Sequence, residues 1–324
     1  MRMASGARSQ RGVALIMAVL IVALATMLAV SVASDGYMDQ RRTSTVMLMD
    51  QAYEMGLGAE ALAAETLQDD NAKTDSLNEP WATPIILPVD DGAGEIRGHL
   101  DDLQGRFNVN NLLNADGTRN EQGVRQFQRL LELLGIDIKY ATITLDWIDA
   151  DSNPEFPDGA EDTVYTAQTP AYLTPNMPIT RTSELMSEVG MKTEDYRKLE
   201  PHIAALPIGT DLNVCTASGI VLDSLSASLV EYSRNSEALT KGRANGCFPT
   251  IMDLDRTLGQ EADSLYAKIK ARNSAKIAEN SSYFRANILV TIGTTELALY
   301  SVLNRTGTGG KARTRVIQRS FGTT

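Results

Sequence analysis

Apolar and polar positions divide the chain into stretches of different period. Residues 13–33 read VALIMAVLIVALATMLAVSVA, 21 positions without a charge. At 1.5 Å per residue, a helix of that length measures about 32 Å, the hydrocarbon thickness of a bilayer. The helical pattern continues past this span. Residues 40–68 lack proline, and Val46, Met49, Tyr53 and Leu57 recur at steps of three or four, on one face. The spacing predicts one helix from Val13 to about Gln68, with Gly36, Gly56 and Gly58 as points where it can bend.

Residues 69–94 interrupt the periodicity with Pro80, Pro84, Pro88 and Asp90-Asp91-Gly92. A strand signal at 95–100 is followed by a second at 102–110, and the glycine between Gln104 and Arg106 predicts a hairpin. From about 119 to 270 the pattern is helical. Val124, Phe127, Leu130, Leu131 and Leu134 share a face that ends at Gly135, and Ile138, Ile143, Leu145 and Ile148 follow. Two short helices are expected at 182–189 and 193–199, with Thr193 as an N-cap, and further helices at 217–232, 250–258 and 263–271. Alternation returns at 283–292, 296–303 and 313–321, with turns at 293–295 and 307–310. Strands on both sides of the helical block need one another to form a sheet. The fold class is therefore α+β, a long helix and an antiparallel sheet carrying an inserted, mostly α-helical domain.

Charge gives the span a direction. Arg2, Arg8 and Arg11 precede it without an acid, and the first acids, Asp35 and Asp39, come after it, which places the N-terminus in the cytoplasm and the body outside. Three readings of the segment compete: a cleaved secretory signal with small residues at 29–33, a plain anchor, and a pilin-like leader cut between Gly12 and Val13, which leaves the helix attached. The formal charge of −11 argues against nucleic acid and anionic lipid as partners. The two cysteines, Cys215 and Cys247, suggest one disulfide in an oxidising compartment, contributing roughly 3–4 kcal/mol by loop closure. A thiol nucleophile with His99 or His202 is the alternative, and no nucleophile motif surrounds either cysteine.

The densest chemistry lies between Tyr140 and Thr180, where there is no Lys or Arg. Asp146, Asp149, Asp151, Glu155, Asp158, Glu161 and Asp162 fall within 17 residues. Such carboxylates repel one another unless solvated or neutralised, and hard oxygen donors at short spacing suit Ca²⁺. Asp149-Ala-Asp151-Ser-Asn153 begins like an EF-hand loop, but Pro154 and Ala160 stand where that loop needs Gly and Glu. Asp149, Asp151, Glu161 and Asp162 are the expected ligands, supplemented by Asn176 or a backbone carbonyl, for one or two ions. The alternatives are a solvated acidic loop and a glycosidase-type acid pair, for which nothing singles out an acid and a nucleophile. Nearby Trp147, Phe156, Tyr165 and Tyr172 favour an ordered loop over a solvated one. Residues 184–191 and 211–222 resemble helix-hairpin-helix DNA-binding segments, but basic residues to hold phosphate are scarce.

These pieces together resemble one family, the type II secretion system protein K, the large minor pseudopilins. The resemblance is carried by Arg11-Gly12 followed by VALIM, DLQGRFNVNNL at 102–112, LDWIDAD at 145–151 leading to GAED at 159–162, PNMP at 175–178, Glu184-Leu185, and DLNV at 211–214 followed by TAS at 216–218. It implies a leader at 1–12, a transmembrane helix at 13–34, a pilin-like domain formed by 35–111 and 281–324, and an inserted helical domain at 112–280. It further implies cleavage after Gly12 by the prepilin peptidase, N-methylation of Val13, and Ca²⁺ in the inserted domain. The implied protein is a non-enzymatic, single-pass inner-membrane subunit, cytoplasmic at its N-terminus and periplasmic in bulk. It would sit at the tip of the pseudopilus and help initiate or cap assembly for export of folded proteins. The implied partners are the I- and J-type minor pseudopilins, the major pseudopilin and the inner-membrane secretion platform. Cys215 stands where relatives often have Asn. Most pilin-like proteins carry Glu at the fifth mature position; here that position is Met17. A tip subunit has no neighbour above it to neutralise such a charge, so an apolar residue removes an unpaired carboxylate from lipid. The competing function is a membrane-anchored DNA-uptake or adhesion module.

Overall fold

A computed structural model of the chain describes residues 11–70, 73–89, 94–225, 247, 277–307 and 312–322. Helix α1 (Arg11–Asp69) is continuous over 59 residues, about 88 Å, and passes through Gly36, Gly56 and Gly58 without ending. Its N-terminal part is long and apolar enough to cross a membrane, with a mean hydropathy of 3.0 in its most apolar window, none of it buried within the chain. Burial begins near Leu48. The face that packs is Leu48, Ala52, Met55, Ala59, Ala63 and Leu67. The expected stripe is therefore rotated: Val46, Met49 and Tyr53 are exposed, and only Leu57 is partly covered. Alanines on the packing face let the helix axis come close to the sheet, whereas the bulkier residues would hold it off.

Five antiparallel strands form the sheet in the order β1 (Ile85–Val89), β2 (Gly94–Asp102), β7 (Tyr283–Ile292), β8 (Thr295–Thr306), β9 (Arg313–Phe321). Strand β2 does not form the expected hairpin with residues 102–110. Its neighbours are β1, in the proline-rich stretch read as punctuation, and β7, which begins at Tyr283 on the far side of the inserted unit. Pro88 is tolerated because β1 is an edge strand. Ile292 pairs with Thr295 across a two-residue turn whose Gly293 has φ 59°, the positive angle such hairpins use. One face of the sheet, with Phe284, Ile288, Val290, Leu299 and Leu303, closes on α1, and Trp81 stands edge-on to Phe284 at 5.2 Å.

After β2 the chain caps a 3-10 turn (Leu103–Gly105) with Asp102 and enters a second unit with its own core. Its elements are β3 (Phe107–Asn108), α2 (Glu121–Leu133), α3 (Tyr140–Ile148), α4 (Asp162–Tyr165), α5 (Thr193–Leu199), β4 (Ile203–Ala204), β5 (Leu212–Asn213), α6 (Gly219–Ser224) and β6 (Ile277–Ala278). The second strand signal of the supposed hairpin is β3, which pairs in parallel with β4. Helix α2 starts at Asn120, whose side chain accepts from the amides of Gln122 and Gly123, and buries Val124, Phe127, Leu130 and Leu131. Phe127 stacks on Phe107 at 5.2 Å. Residues 182–187 form a 3-10 helix, and Thr193 is the first residue of α5, where Lys192 holds the cap position without a side-chain bond. Cys215 and Cys247 are joined by a disulfide. The helices expected at 250–258 and 263–271, the end of the one at 217–232, and the leader at 1–10 lie outside the described residues.

A buried polar cluster ties the two units together. Asn213 Nδ2, with two protons, lies within hydrogen-bond reach of the Asp75 carbonyl at 3.0 Å, Asp102 Oδ2 at 2.9 Å and Ser281 Oγ at 2.9 Å. Arg305, 2% exposed, donates to Asp70 at 3.1 Å and pairs with the fully buried Asp75. The segments that enter and leave the inserted unit beside Asp102 and Ser281 are thus held to Asn213 by buried hydrogen bonds.

Candidate functional site

The acidic cluster is built at the C-terminus of α3 and the loop that returns beneath it. Helix α3 is buried at all nine positions, including Asp146 at 0% exposure. Both Asp146 oxygens accept from the amide of Glu155 at 3.2 Å, so this carboxylate anchors the loop. Burial pushes the Asp146 carboxyl up to about 6, while hydrogen bonds from the Glu155 and Ala160 amides oppose the rise. Gly159 makes the anchor possible: a Cβ there would run into the Asp146 carboxylate and the backbone of Glu155. Glu155 itself is drawn off by Arg119, whose Nη1 lies 2.6 Å from Glu155 Oε2. An aromatic group, Trp147, Tyr165 and Tyr172, supports the loop, with ring centroids 5.1 and 5.3 Å apart along the series Trp147–Tyr165–Tyr172.

Asp149 ends α3, Asp151 follows it, and Glu161 precedes α4. Each offers a carboxylate oxygen, and these three atoms lie within 4.8 Å of one another. Glu161 is only 2% exposed. Burial, reinforced by the charges of Asp151 and Asp146, raises Asp149 to about 7. Burial, reinforced by Asp146 and Asp149, raises Glu161 to about 7. Asp149 Oδ1, Glu161 Oε1 and Asn176 Oδ1 are all buried and find no hydrogen-bond donor. Asn176, in the left-handed region at φ 48°, is held against the cluster because its Nδ2 donates to the Asp151 carbonyl at 3.0 Å. A buried oxygen without a donor costs free energy, and three of them beside repelling carboxylates form a set that a hard cation would satisfy.

Of the five ligands expected from the sequence, the structure brings together Asp149, Asp151 and Glu161, with Asn176 adjoining. Asp162 stands outside the three-carboxylate group; its Oδ1 accepts from the amide and hydroxyl of Thr174 at 3.0 and 2.8 Å. Sequence reasoning counted Asp146 among the clustered acids and quoted Gly159 within a motif but gave neither its anchoring role, and it did not single out Thr174, whose hydroxyl lies within hydrogen-bond reach of Glu161 and Asp162. An acid inside an otherwise apolar helical run was the available signal for Asp146. It also missed Glu188, a buried acid that accepts from Thr144 Oγ1 on α3 at 3.1 Å. Of the two segments resembling helix-hairpin-helix motifs, 184–191 falls largely in the 3-10 helix Thr182–Ser187, and 211–222 becomes β5 and α6, whose Val221 and Leu222 are core residues and whose Asp223 pairs with Arg129 at 3.5 Å.

The family model for type II secretion system (T2SS) protein K matches residues 105–208, the stretch that contains the whole cluster. The chain is 32% identical to the type II secretion system protein K of Pseudomonas aeruginosa, over 97% of this chain and 94% of that one. It is 32% identical to its Klebsiella pneumoniae counterpart over 97% of each. Among solved structures it resembles the GspK-GspI-GspJ complex of enterotoxigenic Escherichia coli, with a TM-score of 0.74 and 26% identity, covering 87% of this chain and 100% of that chain.

Proposed function

This chain belongs to the type II secretion system protein K family and is a minor pseudopilin of that system; from this premise we propose that it occupies the tip of the periplasmic pseudopilus, where it helps start or cap assembly. The observation that carries the proposal is the division of α1. Its C-terminal part is packed on the sheet from Leu48 to Leu67, while its N-terminal part presents apolar side chains that nothing in the chain covers. Such a helix needs a bilayer, and then the helices of other subunits once it leaves the bilayer.

On this reading α1 is a single-pass inner-membrane anchor with its N-terminus in the cytoplasm and the sheet and inserted unit in the periplasm. The prepilin peptidase cuts between Gly12 and Val13, and Val13 is methylated. The subunit works by assembly rather than catalysis. The relative of known structure forms a complex with GspI and GspJ; I- and J-type minor pseudopilins are the proposed partners here, with the major pseudopilin below them and the secretion platform at the membrane. The apolar Met17 fits a subunit with no neighbour above it. Asp149, Asp151 and Glu161, with Asn176, would hold Ca²⁺, which supplies the positive charge that fixes the loop after α3; Asp162 would act through Thr174. Co-expression of the full chain with its I- and J-type minor pseudopilins tests the assembly reading. A ternary complex is expected on purification, and three separately eluting proteins would remove it.

A further inference from the structure

The face of the sheet turned away from α1 meets the inserted unit along a cleft. Its position follows from register. Asp101 on β2 pairs with Arg285 on β7, Arg285 with Val302 on β8, and Val302 with Gln318 on β9, so these four side chains form one row across the sheet. Leu103 and Ala204 pack against Val302 within that row. Opposite lie Thr180, Arg181 and Thr182 from the inserted unit, and Arg106 from the turn that enters it.

Three guanidinium groups, those of Arg106, Arg181 and Arg285, line this cleft in a chain of net charge −11. Their compensation is incomplete. One oxygen, Asp101 Oδ2, serves both Arg106 at 3.2 Å and Arg285 at 2.9 Å, and it also accepts from Asn287 at 3.2 Å. His99 Nε2 lies 3.7 Å from the other oxygen of Asp101. Glu200 bears on Arg106 through space but makes no close pair with it among the described residues. Arg285 Nε is buried without an acceptor. Arg181 forms no ion pair among the described residues, and it is exposed at the rim. Burial, and then the charge of Arg285, pulls Arg106 below the usual guanidinium range. Two half-buried guanidiniums sharing one carboxylate oxygen leave donors that an incoming anion can meet in bidentate fashion.

The floor decides which anion. Leu103, Ile203 and Val302 are apolar, and Tyr300 adds an aromatic wall. A bare inorganic ion would leave that surface wet, whereas an aliphatic or peptide stem would cover it. We infer that this cleft binds a carboxylate carried on a peptide, either an acidic side chain or a chain terminus, with Arg285 and Arg106 at its base and Arg181 closing from the rim.

The test uses the full chain in detergent micelles and ligand-observed NMR titration with three short acetylated peptides: Ala-Leu-Ala with a free carboxylate, the same peptide amidated, and amidated Ala-Glu-Ala. At least one acidic peptide is expected to bind more tightly than the neutral amide by about tenfold, the value of one charge-assisted hydrogen bond. Whichever acidic form binds identifies the source as terminus or side chain. Arg181→Gln, which disturbs no ion pair among the described residues, is expected to weaken binding by a similar factor. Arg285→Gln is expected to abolish it, with the melting curve confirming that the variant is folded. No binding of either acidic peptide at millimolar concentration, equal binding of the neutral amide, complete displacement by an equimolar amount of sulfate, or unchanged affinity in Arg181→Gln would each overturn the inference.

Discussion

Asp146 and Gly159 are packed so closely that no side chain fits between them: a Cβ at Gly159 would collide with Asp146 Oδ2 and with the backbone N and O of Glu155. Glycine here is set by contact rather than by backbone angle. Gly159→Ala must push the loop off the end of α3, an overpacking cost of about 1–3 kcal/mol. The variant should melt at a lower temperature and lose the loop geometry that brings Glu161 toward Asp149. An unchanged melting temperature would mean that the loop shifts freely and that the anchor described here is not rigid.

The metal prediction follows from the same loop. A cation bound only by the folded state adds RT ln(1 + [L]/Kd), about 2.7 kcal/mol when free ion is 100 times Kd. Adding a chelator to the purified protein should lower its melting temperature, and Ca²⁺ should restore it. Asp149→Ala combined with Asp151→Ala should remove that response, because two of the three clustered carboxylates are gone. Identical melting curves with and without chelator in metal-free buffer would return the cluster to a solvated acidic loop.

Much of this was legible in the chain, for reasons that can be named. The apolar run at 13–33, the strands at 283–292 and 313–321, and the face of α2 are local patterns of one period, and local patterns survive folding. The partner of β2 was not legible. The glycine at 105 suggested a turn back, but Asp102 caps a 3-10 turn and the chain departs into the inserted unit. The strand at 85–89 was hidden by Pro84 and Pro88, which an edge strand accommodates. At the cluster, the charge pattern located Asp149, Asp151 and Glu161, whereas the anchoring of Asp146 depends on the amide of Glu155 nine residues away. The arginine cleft was not legible at all, since Arg106, Arg181 and Arg285 are joined only by the docking of two units.

Glu188 supplies a pH prediction independent of the metal. It is buried, one oxygen accepts from Thr144, and the other has no donor. Burial raises its carboxyl well above the ordinary value of 4.5. The folded state then holds a proton that the unfolded chain releases. Below pH 4.5 both states carry it and nothing is lost; as pH rises above that value, stability falls until the folded pKa is reached. Glu188→Gln removes this loss while keeping an acceptor for Thr144. Its melting temperature should exceed that of the parent by a margin that widens from pH 5 to pH 8. A margin independent of pH would show that Glu188 does not titrate differently in the two states.

Mass spectrometry of the protein from its native membrane should show an N-terminus at Val13, with the apolar helix retained. A start near Ser34 would identify an ordinary secretory signal. Gly12→Asp should block cleavage, because the peptidase needs a small residue at the cut, and the unprocessed chain should remain in the membrane without entering pseudopili.

Met17→Glu tests the tip position itself. A carboxylate costs roughly 2.5–3.5 kcal/mol at the centre of a membrane helix on insertion scales, and less at Met17, which is only the fifth residue of the apolar run, or when it finds a partner. Within a filament of pilin-like subunits the partner is the N-terminal amine of the neighbour. A subunit with nothing above it has no such amine to meet. The apolar run around Met17 is long enough to carry one charge and still insert, so Met17→Glu should reach the membrane in normal amount. Once there, its charge favours a position with a neighbour on each side, which is the position of a filament subunit rather than of a tip. Pseudopili should then start less often, and export of folded substrates should fall, while the soluble part of the protein melts unchanged. If secretion and the number of pseudopili per cell both match the parent, charge removal at the fifth mature position is not what suits this subunit to the tip.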